Sequence, residues 1–100
     1  MLLRTPAAML DRTMRALADP TRREILRALR GGDLAAGEIA ARFPMTAASV
    51  SHHLATLREA ELVSVERRGK SLVYSLNTTV LQDFVQGMLD LFGTGEEERR

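Results

Sequence analysis

The 100-residue sequence predicts a mainly α-helical fold carrying one β-hairpin, and three features of its apolar pattern carry that expectation. Up to Ala60, apolar residues recur every three or four positions, the period of helices buried on one side. From Leu62 to Leu76 the pattern becomes that of two strands around the polar run Arg67-Arg68-Gly69-Lys70. After Asn77 the helical spacing returns. A hairpin directly behind two short helices is a winged helix-turn-helix, in the order helices 1-2-3-4, a two-stranded wing and helix 5.

Helix 1 is expected over residues 6–18, with Thr5 as cap, Pro6 in the first turn and Leu10, Met14 and Leu17 along one face. Asp19-Pro20 then starts helix 2, because the carboxylate can accept from free amides and proline has none to leave unpaired. Ile25, Leu26 and Leu29 point inward, and Gly31-Gly32 ends the helix. A short helix 3 is expected over 34–43, with Ile39, Ala40 and Phe43 on one side and Pro44 as its stop. Thr46 caps helix 4, which runs to about Ala60 with Val50, Leu54 and Leu57 inward. Leu62, Val63 and Val65, then Leu72, Val73, Tyr74 and Leu76, form the wing strands. Thr79 and Gln82 stand at capping-box spacing at the start of helix 5. Its apolar residues Leu81, Phe84, Val85, Met88, Leu89, Leu91 and Phe92 cover more than the stripe one small domain can bury, so something else must cover the remainder. Gly93 and Gly95 close that helix, which gives one domain over 1–95 and a charged tail over 96–100.

Composition narrows the function. Fourteen basic and 13 acidic side chains nearly cancel, so attraction to a polyanion has to come from where charges sit. The chain has no cysteine, which excludes disulfides, thiolate metal sites and thiol nucleophiles. Neither a signal peptide nor a run of eighteen apolar residues is present, and the protein reads as soluble and cytoplasmic. No glycine-rich phosphate loop or nucleophile motif appears, so an enzyme is not expected.

The outer side of helix 4 presents Ala47, Ala48, Ser51, His52 and Ala55, without long charged stems. Such a surface lets a helix approach the floor of a major groove, where serine and histidine meet base edges and alanine methyls meet thymine methyls. Thr46, Ala47, Ala48, Ser49, Ser51, His52 and His53 are therefore the expected recognition residues, with His53 either flanking the core or touching phosphate. Arg67, Arg68 and Lys70 bracket Gly69 at the hairpin tip, where a wing reaches the adjacent minor groove or its phosphates. Adjacent histidines lie about 100° apart around a helix and do not face one metal ion. Arg22 and Arg23 either touch phosphates or make structural ion pairs, at least one of them the latter.

Three runs resemble one family: Ala-Leu-Ala-Asp-Pro-Thr-Arg-Arg-Glu-Ile-Leu at 16–26, Ser-Val-Ser-His-His-Leu at 49–54 and Gly-Lys-Ser-Leu-Val-Tyr-Ser-Leu at 69–76. Together they are similar to the ArsR-type repressors over about residues 9–92, and the run at 74–83 resembles the SdpR-type autorepressor subgroup. The resemblance implies a homodimer joined by the first and last helices and bound to a partly palindromic double-stranded operator. Its interface would comprise Leu10, Met14, Leu17, Leu81, Phe84, Val85, Met88 and Phe92. The family's thiolate site falls here on Leu34-Ala35-Ala36-Gly37, and its last-helix site on Asp83-Phe84-Val85 with no histidine. Neither metal site can form, and no cofactor is expected. A winged helix that docks a protein partner, or a sensor of an unidentified small molecule, stays open beside the repressor.

Overall fold

The computed structural model describes residues 6–93. Its elements follow the order α1 (Pro6–Leu17), α2 (Pro20–Leu29), β1 (Leu34–Ala35), α3 (Ala36–Ala40), α4 (Ala47–Glu59), β2 (Val63–Arg68), β3 (Ser71–Leu76) and α5 (Thr78–Leu91). The expected Thr5 cap and the charged tail at 96–100 lie outside the described residues.

Ile25, Leu26 and Leu29 of α2, Ile39 of α3, Val50, Leu54 and Leu57 of α4, and Leu62, Val63 and Tyr74 near the wing form one core, joined by Ala16 of α1. The inward residues of α2 and α4 are those the helical period selects. Because α4 is pinned through three core side chains, its opposite face stays outward.

Two elements differ from expectation. Residues 34–43 do not form one helix. Leu34 and Ala35 pair antiparallel with Tyr74 and Val73, and only Ala36–Ala40 is helical. The two-stranded wing forms as expected from β2 and β3, and β1 adds a third strand to its sheet, in the order β1-β3-β2. Pairing satisfies the backbone groups on the second edge of β3, a gain that local helix propensity in Leu-Ala-Ala does not match. The start of α5 is the second correction. Its cap is Asn77, whose side chain accepts from the Val80 amide at 3.4 Å, and not a box built on Thr79 and Gln82. Asn77 donates its own amide to the Leu62 carbonyl at 2.9 Å, which fixes it at the sheet edge and selects it over Thr79.

The Asp19-Pro20 expectation holds. Asp19 Oδ2 accepts from the Arg22 amide at 3.0 Å. That hydrogen bond above all, with His53 and Arg22 charges adding to it and desolvation opposing it, holds the carboxyl below its ordinary 3.8. A carboxyl lowered in the folded state contributes stability above its unfolded value and loses it as pH falls through the folded one. Asp19→Ala is expected to cost about 1 kcal/mol at neutral pH. In urea denaturation the difference from wild type should shrink as pH drops below 3.8, and a difference unchanged in acid would contradict this account.

Candidate DNA interface

Thr46 ends the approach to α4 in extended conformation, and its hydroxyl accepts from the Ser49 amide at 3.0 Å while donating to Ser49 Oγ at 3.0 Å. These two side chains are therefore occupied in starting the helix. Ala47, Ala48, Ser51, His52 and Ala55 are all exposed, as the outward face requires. Ser51 and Ala55 line a shallow hollow together with Arg58, Glu59 and Tyr74. Arg58 was missed by sequence reasoning, although the spacing 51, 55, 58 places it on the same stripe.

The end of α4 decides how the wing leaves it. The Leu62 amide donates to the Leu57 carbonyl at 3.0 Å and the Glu61 amide to the Arg58 carbonyl at 2.9 Å, a Schellman closure. Glu61 occupies the left-handed position of that motif at φ 63°, where glycine is the usual signal. Leu62 and Val63 then enter the core and start β2.

In the wing, Arg68 pairs across to Ser71, leaving Gly69 and Lys70 as a two-residue loop. Gly69 has φ 63°, the conformation a type II′ hairpin turn demands at its first central residue. The three tip cations are not equivalent. Arg68 donates to Glu66 Oε1 at 3.1 Å and lies 3.7 Å from Asp33 Oδ2, so two carboxylates already claim it. Arg67 and Lys70 are exposed, and neither has an ion-pair partner among the described residues.

His53 is set apart from its neighbours. Its side chain is 16% exposed and sits between Arg22 Nη1, 3.3 Å from Nδ1, and Asp19 Oδ2 at 3.8 Å. Arg22 also donates from Nε to the Ala16 carbonyl at 2.6 Å and from Nη2 to the Arg15 carbonyl at 3.0 Å. Arg23 donates to the Leu17 carbonyl at 2.7 Å. Both arginines thus close the C-terminal end of α1, where free carbonyls carry partial negative charge. The His52 and His53 ring centroids are 6.0 Å apart and tilted by 55°.

Away from this face, α5 has no buried residue among those described. Val85, Leu89 and Phe92, at i, i+4 and i+7, are 55%, 43% and 70% exposed, and Met14 of α1 is 40% exposed. Leu17 and Leu81 pack against the core. Between α1 and α5 runs a groove of about 350 Å³ lined by residues that include Leu10, Phe84 and Gly87.

Residues 19–65 match the family model described as bacterial regulatory protein, arsR family. The transcriptional repressor SdpR of Bacillus subtilis is 46% identical over 89 residues, which is 89% of this chain and 99% of that protein. The arsenical resistance operon repressor of Staphylococcus xylosus is 33% identical over 88% of this chain and 84% of its own length. Among solved structures, an ArsR-like transcriptional regulator from Rhodococcus sp. RHA1 superposes with a TM-score of 0.79 at 30% identity, covering 88% of this chain and 82% of that one.

Proposed function

The chain belongs to the ArsR family of bacterial regulatory proteins, and from that premise we propose that it is a homodimeric, sequence-specific repressor that works without a metal and acts on its own promoter. The family makes it a DNA-binding regulator rather than an enzyme. The observation that carries the finer reading is the bare outward face of α4 beside two wing cations with no ion-pair partner among the described residues. In this reading α4 lies in the major groove with Ala47, Ala48, Ser51 and His52 toward the bases, and Arg67 and Lys70 hold the neighbouring backbone. A second copy, joined through the exposed stripe of α5 and Met14, presents its α4 one helical turn away, about 34 Å along the same side of a partly palindromic site. Repression follows from occupying the promoter.

Metal independence is supported by chemistry: the chain has no cysteine and only two histidines, both on α4. Autoregulation is what the resemblance of residues 74–83 to the autorepressor subgroup implies. We place the protein in the cytoplasm, where its operator is; no helix among the described residues is long and apolar enough to cross a membrane.

Ser51→Ala and His52→Ala are expected to reduce the preference for promoter over random DNA, by about 1–3 kcal/mol for each base-edge interaction removed. Arg67→Ala and Lys70→Ala are expected to weaken binding to both DNAs alike. Gel shifts with the two DNAs in parallel separate the cases. Equal losses on both DNAs for all four variants would sink the division between reading and holding.

A further inference from the structure

Arg12 and Arg15, one turn apart on α1, line a hollow with Ala16 of their own helix and Thr56 and Glu59 of α4. Arg12 is half-buried and Arg15 exposed, and the side chain of neither has a hydrogen bond or ion pair among the described residues. Arg22 and Arg23 differ from them, being engaged with the carbonyls that end α1. Glu59 borders the hollow and Asp11 stands one turn before Arg15, yet neither carboxylate closes an ion pair with the two arginines. Across α4, Ser51, Ala55 and Arg58 line a second hollow with Tyr74 of the wing, and Glu59 borders this one too. At about 100° per residue, Ala48 and His52 lie between Arg58 on one flank of the helix and Thr56 on the other. We propose that Arg12 and Arg15 bind backbone phosphates of the operator along the edge of the major groove that faces away from the wing. The proposal rests on the reading of α4 as the DNA-contacting helix.

A major groove is bounded by two phosphate backbones, and a helix on its floor turns one flank toward each. Fourteen basic and 13 acidic side chains leave the chain with little overall attraction for DNA, so each backbone needs cations placed against it. Arg67 and Lys70 serve only the wing side. On the other side a guanidinium suits the task, because it donates to two phosphate oxygens at once and stays charged throughout. Arg27 and Arg68 would first have to leave a glutamate, whereas Arg12 and Arg15 have no carboxylate to release. Glu59 repels a phosphate on this edge, but two cations against one carboxylate keep the α1 flank net positive.

The test compares wild type with the double variants Arg12→Gln, Arg15→Gln and Arg12→Lys, Arg15→Lys. Fluorescence anisotropy with the protein's own promoter DNA is measured over a range of salt, and ethylation interference maps the contacted phosphates on each strand. Glutamine retains helix propensity and removes the charge, while lysine retains both. With two arginines in each of two protomers, the glutamine variant is expected to give a plot of log affinity against log salt shallower than that of wild type by about 3 to 4, at about 0.9 per phosphate. The lysine variant is expected to keep the wild-type slope. Ethylation on the edge away from the wing is expected to block wild type and to stop mattering for the glutamine variant. Its preference for promoter over random DNA is expected to be unchanged, since phosphates carry no sequence information. A glutamine variant with the wild-type slope and interference pattern would overturn the proposal. So would a lysine variant as shallow as the glutamine one, or a glutamine variant that sedimentation velocity finds monomeric, which would place the arginines in the joint between copies. Wild type that fails to bind DNA, or binds it with a flat salt plot, would instead overturn the reading of α4, and the wild-type curve alone tells the two failures apart.

Discussion

Val85→Asp is expected to leave the protein folded, convert it to a monomer and lower its affinity for promoter DNA by about two to four orders of magnitude. Val85 is 55% exposed in the single chain, so exchanging it there removes little packing, within about 0.5 kcal/mol. In the proposed dimer the same position lies inside the stripe that Val85 forms with Leu89 and Phe92, where an aspartate would be a buried charge without a partner. Binding of two half-sites then ceases to be one linked event, and the avidity between the two copies of α4 is lost. Sedimentation velocity and gel shift measure the two effects. A variant that remains dimeric with undiminished affinity would show that α5 is not the joint.

Much of this arrangement is legible in the sequence because it depends on periodic patterns. Leu54 and Leu57 follow helical spacing and are buried, and the bare face of α4 follows once they are assigned inward. The Asp19-Pro20 start of α2 is likewise local, being a carboxylate and a proline acting on amides within one turn. Features made by residues distant in the chain are not legible in this way. β1 has two residues, too few to show any period, and exists because β3 offers it an edge. Arg22 meets His53 across 31 positions, so neither residue's neighbours reveal the pairing. The end of α4 carries no glycine signal, since Glu61 takes the left-handed position itself. At the start of α5, three adjacent residues can each cap a helix, and the hydrogen bond that the Asn77 amide donates to the Leu62 carbonyl selects among them.

The three cations at the wing tip look interchangeable in the run Arg67-Arg68-Gly69-Lys70, yet their surroundings divide them. Arg68 is held by Glu66 and Asp33, so its charge is largely answered within the protein. Arg67 and Lys70 have no such partner among the described residues and are the two expected to displace counterions from DNA. The central claim, that α4 and the wing grip DNA as a pair of copies, is tested most directly by the salt dependence of binding. With two wing cations in each of two protomers, the double variant Arg67→Ala, Lys70→Ala leaves four phosphates unneutralised, at about 0.9 each. Its plot of log affinity against log salt is expected to be shallower than that of wild type by about 3 to 4. A double variant with the same slope as wild type would contradict the account.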